Sequence, residues 1–290
     1  MRMASSRAVR SNLVSAASGR RVLSGALAGS LLALLTACSS DPVDDLAFKD
    51  IPAEKSYNEG LAYIKAGDLR EATKKFEEVD QQHPYSEWAR KSMIMTAYTN
   101  FTRGRYDDAI ISARRYVTLY PGSEDAAYAQ YMIGQSYFQQ IPDVDRDQDM
   151  TRKALQAMTE LVQRYPDSSY ALEAQRVIDV CRDQLAGKEM EIGRYYLARY
   201  NYIAAVNRFR NVVTEYQTTR HTEEALERLT EAYFALGIVN EAQTAAAILG
   251  HNYPESQWYK DAYSLLQTKG LEPREDTGSW ISRTFKAALG

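Results

Sequence analysis

The sequence predicts an all-α protein built as a right-handed solenoid of five similar helix pairs. Three observations predict this fold. A four-residue pattern with proline second and serine fourth recurs, small residues recur at matching intervals, and no useful stretch alternates apolar and polar residues as a strand would. The clear copies of the pattern are His83-Pro84-Tyr85-Ser86, Tyr120-Pro121-Gly122-Ser123, Tyr165-Pro166-Asp167-Ser168 and Tyr253-Pro254-Glu255-Ser256.

The recurring pattern predicts a boundary between two helices. Proline cannot continue a helix, and it pushes the residue before it out of the helical region. The serine two residues later can accept a hydrogen bond from the first turn of the next helix, as an N-cap. A weakened fifth copy, Tyr216-Gln217-Thr218-Thr219, has lost the proline. Inside the pairs, Gly67, Gly104 and Gly237 are expected at the turns.

Small residues keep the same register as the pattern. Ala72, Ala109, Ala154, Ala205 and Ala242 are separated by 37, 45, 51 and 37 residues, as are the copies of the pattern. A second series consists of Gly60, Ala97, Gly134, Gly193 and Thr230. With Gly60-x-x-Tyr63, Ala72, Phe76 and Pro84, the first unit resembles the tetratricopeptide repeat. One such helix pair cannot bury its apolar face alone, so neighbouring repeats must stack.

Residues 1–37 have the composition of an export signal. Five arginines and no acidic residue precede the apolar run from Val22 to Ala37, which is shorter than the ~20 residues of a membrane-spanning helix. The ending Leu35-Thr36-Ala37-Cys38 resembles a bacterial lipoprotein cleavage box. That resemblance implies removal of residues 1–37 and a covalent lipid on Cys38, and Ser39 favours sorting to the outer membrane. Residues 38–52 are expected to be a linker.

Charge and composition exclude several functional classes. Removal of the five signal arginines leaves 30 basic against 38 acidic side chains, a net charge of −8, which argues against a nucleic-acid partner. The three histidines lie far apart in the repeat register, so we expect no metal site, and no catalytic set is apparent. Cys181 lies in an apolar stretch and is expected to be a buried thiol.

Repeats 1–3 are assigned to residues 53–168, and their first helices predict an aromatic and aliphatic groove. In a helical repeat array the first helix of each pair lines the concave, peptide-binding face. The groove candidates are Tyr57, Leu61, Ile64, Ile94, Tyr98, Phe101, Tyr128 and Tyr131. The alternative for each tyrosine is packing between repeats. Cation and amide residues that clamp a terminal carboxylate in some tetratricopeptide proteins are missing at Tyr57 and Leu61.

Two insertions interrupt the regular spacing. The first contains Asp143, Asp145, Asp147 and Asp149, but lacks the glycine and glutamate of an EF-hand calcium loop, so we expect a solvated loop whose last aspartate caps a helix. The second, between Ser168 and Met190, has helical composition. It predicts a lengthened helix in repeats 4–5, which are assigned to residues 169–267.

The tail, residues 268–290, is expected to be a flexible linker and a short amphipathic helix. Gly270, Pro273 and Gly278 precede Trp280, Ile281 and Phe285, which fall on one helical stripe. The stripe could dock on the last repeat or hold a partner, and the sequence does not choose between these.

Taken together, the lipoprotein box, the linker, the five repeats and their insertions resemble the BamD (ComL) family of lipoproteins of the outer-membrane β-barrel assembly machinery. The most specific segments are Asp145-Arg146-Asp147, Tyr195-Tyr196-x-x-Arg199 and Ala205-Val206-Asn207-Arg208. The tail after about Thr268 lies outside the shared core.

The resemblance implies a non-enzymatic scaffold, lipid-anchored through Cys38 to the outer membrane, facing the periplasm and without other cofactor. Its C-terminal repeats would hold the POTRA region of the barrel subunit BamA, with Arg199 and Arg208 as candidate contacts, beside other lipoproteins of the machinery. Its N-terminal repeats would receive aromatic-ended signals of unfolded outer-membrane proteins. Two alternatives stay open: a periplasmic repeat lipoprotein coordinating cell-wall synthesis or division, and a peptidoglycan-modifying enzyme on a repeat scaffold.

Overall fold

The computed structural model describes residues 51–289, with side chains to Ala287, so the signal segment, Cys38 and most of the 38–52 linker lie outside the described residues. Within that range all regular structure is helical. The helices are α1 (Ala53–Lys65), α2 (Leu69–Gln82), α3 (Glu87–Thr102), α4 (Tyr106–Leu119), α5 (Ala126–Phe138), α6 (Asp149–Arg164), α7 (Ala171–Leu197), α8 (Tyr202–Glu215), α9 (Thr222–Ala235), α10 (Val239–Asn252), α11 (Gln257–Gln267) and α12 (Trp280–Leu289).

The helices form an all-α solenoid, which confirms the predicted fold class. From α1 to α11 each helix packs against the next, and the odd-numbered helices α1, α3, α5 and α7 also pack against one another in order. Helices α1 to α10 therefore form five pairs. We call the first helix of each pair its A helix and the second its B helix.

Close approach of the A and B helices explains the small residues in the sequence. A Cβ atom built on Gly60 of α1 would lie 2.6 Å from the ring of Phe76, which is fully buried in α2. Gly134 meets Met158 in the third pair in the same way. The ring or the methionine of the B helix occupies the volume that a side chain on the A helix would need, so each contact ties the two helices of one pair together.

The recurring proline pattern caps only two of the helices that follow it. The hydroxyls of Ser86 and Ser256 accept hydrogen bonds from Ala89 N and Trp258 N. The expectation is wrong for Ser123 and Ser168, because an extra turn follows each of them and their helices begin only at Ala126 and Ala171.

The second insertion lengthens α7 to 27 residues, as predicted, and makes it a bridge between two cores. Its first half, with Val177 and the buried thiol of Cys181, packs with α6. Its second half, with Ala186 and Met190, belongs to the core of repeats 4 and 5. Cys181 is buried, as predicted, and burial raises the pKa of its thiol to about 12.

In the first insertion, the prediction that its last aspartate, Asp149, caps α6 is wrong. Asp149 is the first residue of α6, and its backbone N–H donates to the carboxylate of Asp147 at 2.8 Å. The buried side chain of Gln148 organises the loop by donating to the carbonyl of Asp143 at 2.9 Å. Lys188 of α7 donates to the carbonyl of Asp145 at 2.5 Å, so the loop is held against the long helix.

The tail differs from the flexible linker expected from its glycines and proline. The backbone N–H of Arg274 donates to the carbonyl of Gln243, and that of Asp276 to the hydroxyl of Thr244. Both acceptors lie on α10. Backbone N–H groups of the segment between α11 and α12 therefore hold this segment along α10 by hydrogen bonds.

Helix α12 docks on α8 and α10 through its apolar stripe. Ile281 is fully buried in the core of repeats 4 and 5. The indole N–H of Trp280 donates to the hydroxyl of Tyr233 at 3.0 Å, and Gln217 donates to the carbonyl of Thr284 at 3.4 Å. Gln217 occupies the position that is proline in the other copies of the pattern. The copy without proline therefore contributes a hydrogen bond to the C-terminal tail.

Candidate functional site

Two aromatic clusters involve the A helices α1, α3 and α5 and the start of α7. In the first, the ring of Tyr57 on α1 lies 5.4 Å from Phe76 and 5.2 Å from Trp88 on α3. The ammonium of Lys91 lies 4.7 Å above the Trp88 ring, a cation–π contact. Burial raises the pKa of Tyr57, and the nearby Lys91 partly opposes that rise.

The second cluster joins α5 to the start of α7. The ring of Tyr170 stacks on Tyr131 at 5.2 Å and lies 5.4 Å from Tyr128. Gln135 donates to the hydroxyl of Tyr131 at 2.9 Å and fixes that ring. Burial raises the pKa of Tyr128 to about 12, so this phenol is neutral throughout the physiological range.

The predicted groove residues occupy different depths. Tyr57, Leu61, Ile64, Tyr98, Phe101, Tyr128 and Tyr131 are each partly exposed. Ile94 is only 8 % exposed and belongs to the core of repeats 2 and 3, so it lies behind the groove rather than at its surface. Phe101 packs edge-on against Tyr106 at 5.5 Å.

Two members of the clusters, Trp88 and Tyr170, were absent from the sequence-based set. Both come two residues after the serine of the proline pattern, and Trp258 follows Ser256 at the same distance. An aromatic residue at this position is therefore a signal that could have identified them. The chain emerges from the turn there, which directs the first residues of the A helix toward the preceding A helix.

We define the aromatic groove as Tyr57, Trp88, Tyr128, Tyr131 and Tyr170. Its half-buried rings offer flat apolar faces together with hydroxyl and indole groups, a combination enriched at protein interfaces. The cation of Lys91 is paired with the carboxylate of Glu87 at 2.6 Å. This surface can hold aromatic and aliphatic side chains of an extended peptide. Among residues 51–289 we find no cluster of metal-ligating side chains.

Repeat 4 carries the two predicted partner contacts. Arg208 on α8 lies 3.2 Å from a carboxylate oxygen of Glu189 on α7, which also accepts from Asn211 at 3.1 Å. The guanidinium of Arg199 lies 3.6 Å above the ring of Tyr195. Both arginines keep part of their surface exposed. The structure does not bring them together with the aromatic groove, because they belong to the other end of α7 and to α8.

The helices of residues 51–289 are all too short or too polar to cross a membrane.

Comparison with known proteins identifies relatives over most of the chain. A family model described as "YfiO: Outer membrane lipoprotein" matches residues 49–249. The chain is 47 % identical to the outer membrane protein assembly factor BamD of Caulobacter vibrioides over 228 residues, covering 79 % of this chain and 75 % of that protein. It is 38 % identical over 216 residues to the protein of the same name in Rickettsia prowazekii, covering 74 % and 86 %.

Proposed function

The chain belongs to the YfiO family of outer-membrane lipoproteins, and we propose that it serves as the periplasmic scaffold that links two binding surfaces during assembly of outer-membrane β-barrel proteins. It is a scaffold rather than an enzyme, as membership in a family of assembly factors indicates. The observation that carries the proposal is the aromatic groove of repeats 1–3, separated from the arginines of repeat 4 by the length of α7.

The aromatic groove is proposed to receive the aromatic-ended signals of unfolded outer-membrane proteins. Tyr131 and Tyr170 already stack on each other, and Tyr57 and Trp88 lie 5.2 Å apart, so an incoming ring would extend an existing stack. Offset-stacked and edge-to-face aromatic pairs contribute about 0.5–1.5 kcal/mol beyond the area they bury. A few such contacts suit a ligand that must bind and then leave.

The C-terminal repeats are proposed to hold the POTRA region of the barrel subunit BamA, with other lipoproteins of the machinery nearby. Arg208 would exchange part of its pairing with Glu189 for a carboxylate of the partner. The pair is 38 % and 20 % exposed, which keeps its own contribution to stability small and leaves Arg208 accessible.

The anchor is proposed to be lipid on Cys38, which lies outside the described residues. More than one acyl chain is needed for stable residence in a membrane, at about 0.8 kcal/mol for each buried methylene. Mutation of Cys38→Ala should release the mature protein from the outer-membrane fraction. An unlipidated form that still fractionates with the outer membrane would contradict the anchor.

The experiment for the scaffold role is a pull-down of the lipidated protein in detergent, with Arg208→Glu as the test variant. Wild type should recover the barrel subunit, and the variant should recover less of it while its helical circular dichroism stays unchanged. Failure of wild type to recover the barrel subunit would contradict the proposed function. A loss of helical signal in the variant would show that Arg208 is structural.

A further inference from the structure

The turn between α7 and α8 contains an unusual backbone conformation. Tyr200 has φ +60°, and it is the sole non-glycine residue with positive φ among residues 51–289. L-residues other than glycine rarely occupy this left-handed region, because the Cβ atom crowds the following carbonyl oxygen. An aromatic residue held there requires an explanation.

The other repeats provide an internal comparison. Gly67, Gly104 and Gly237 stand at the same point of the register, seven residues after Gly60, Ala97 and Thr230, as Tyr200 does after Gly193. All three glycines have φ between +74° and +81°. The backbone N–H of Tyr200 donates to the carbonyl of Leu197 at 2.9 Å, and that of Gly67 to Ile64 at 3.0 Å. The four turns are thus the same turn.

The fold gains little from the side chain of Tyr200. A Cβ atom built on Gly67, Gly104 or Gly237 meets no heavy atom within 4 Å, so this position points into open space. Tyr200 is 78 % exposed. Its described aromatic neighbour is Tyr202, at 6.3 Å and edge-on. A glycine would serve the turn without strain, which indicates that the tyrosine is there for a purpose outside the fold.

Two large apolar side chains close to Tyr200 in the chain are also exposed. Tyr195 on α7 is 53 % exposed and Ile203 on α8 is 67 % exposed. Between them in the chain, Arg199 lies over the Tyr195 ring, and its hydrogen-bond acceptor is the carbonyl of Tyr195 at 3.3 Å. Within the described part of the chain no carboxylate lies within ion-pair distance of this guanidinium. Tyrosine and arginine are, with tryptophan, the residue types enriched among binding hot spots.

We propose that Tyr195, Arg199, Tyr200 and Ile203 form an anchor patch for a partner protein that presents an apolar cluster and a carboxylate. The apolar cluster packs on Tyr200 and Ile203, and the carboxylate pairs with Arg199, whose orientation is fixed by Tyr195. The inference rests on the proposed function, because the partner tested is the POTRA region of the barrel subunit. It adds Tyr200 to the proposed contact residues and explains why a tyrosine occupies the left-handed position of this turn.

Substitution of Tyr200→Gly tests this without endangering the fold. Glycine is the residue that three other repeats use in the same turn, so the thermal midpoint should stay unchanged or rise. Affinity of the lipidated protein in detergent for the purified POTRA region, measured by titration, should fall by about tenfold or more, as for loss of a hot-spot aromatic. The matched control is Tyr85→Ala, which removes a fully exposed tyrosine from the turn of repeat 1.

The outcomes separate the patch from the proposed function. Wild type and Tyr85→Ala binding equally, with Tyr200→Gly weaker and at least as stable, would support the patch. Equal binding by Tyr200→Gly and wild type would overturn the patch and leave the scaffold role intact. Failure of wild type to bind would overturn both. A lower thermal midpoint for Tyr200→Gly would show that the tyrosine is structural.

Discussion

Repeats 1–3 and repeats 4–5 share one helix-pair unit but differ in what their A helices present. The register position that holds Leu61 and Tyr98 in repeats 1 and 2 holds Arg194 and Glu231 in repeats 4 and 5. The position of Tyr57 holds Glu227 in repeat 5. The same scaffold therefore carries an aromatic stripe at one end and a charged stripe at the other.

The two ends also differ in what covers them. In repeats 4 and 5 the B helices α8 and α10 are packed under α12, with Ile281 and Phe285 buried. On α5 and at the N-cap of α7, the rings of Tyr131 and Tyr170 remain partly exposed. The tail therefore covers apolar surface at one end of the solenoid, whereas exposed aromatic rings at the other end are available for a ligand.

The largest effect is expected from the core of repeats 4–5. Replacement of Phe209→Ala removes a fully buried ring that packs on Gly193. It should lower the free energy of unfolding by about 3–5 kcal/mol in urea titrations followed by circular dichroism. Binding of the POTRA region should be lost first, while an aromatic-ended peptide still binds repeats 1–3. If the variant lost binding of the POTRA region and of the peptide together, the two ends of the solenoid would not bind their ligands separately.

The docking of α12 can be broken by Ile281→Asp. A carboxylate in the place of a fully buried side chain should cost about 3–4 kcal/mol and detach the helix. Hydrogen exchange should then accelerate along α8 and α10 and remain unchanged in α1 to α4. Ala287→Asp, on the exposed face of α12, is the control and should leave exchange as in wild type.

The charged stripe predicts a specific pH dependence. Burial raises the pKa of Glu227 from 4.5 to about 7, although Arg228 lowers it in part. Between these values the carboxyl is protonated in the folded chain and ionised in the unfolded chain, so stability decreases as the pH rises from 4.5 to about 7. Glu227→Gln should raise the free energy of unfolding at pH 8 by up to about 3 kcal/mol and change it little at pH 4. An equal effect at both pH values would show that ionisation is not involved.

The smallest effect is expected from single residues of the aromatic groove. Trp88→Ala should weaken binding of an aromatic-ended peptide by about tenfold, which corresponds to about 1.4 kcal/mol and lies at the upper end of what one aromatic contact contributes. Tyr263→Ala, at a partly exposed tyrosine of α11, is the control and should bind as wild type does. An equal decrease in peptide affinity in both variants would show that the peptide does not bind specifically at the aromatic groove. Fluorescence anisotropy of a labelled peptide measures both.

The sequence alone predicts the local parts of this architecture well. The helix pairs, the left-handed glycines at 67, 104 and 237 and the long α7 all follow from the repeat register. These features depend on residues close in sequence, for which propensity and periodicity are informative. Of the five groove residues, Tyr57, Tyr128 and Tyr131 belong to the sequence-based set, whereas Trp88 and Tyr170 do not.

The remaining features depend on contacts between residues distant in sequence. Gln217 meets Thr284 across 67 residues, and Trp280 meets Tyr233 across 47, so the docked tail could not be read from local pattern. Ser123 was predicted as a cap, but its hydroxyl donates to Tyr116 instead, because one more turn precedes α5. Tyr200 adopts a left-handed backbone conformation that tyrosine rarely takes. Residues that depart from their local preference in this way are common at functional sites.

We propose that the aromatic groove and repeat 4 bind two different ligands independently. It is tested most directly by measuring the affinity of the lipidated protein for an aromatic-ended peptide before and after saturation with the POTRA region. We expect both ligands to bind together, with the peptide affinity unchanged within about twofold, a difference well below 1 kcal/mol. Displacement of the peptide by the POTRA region would contradict it.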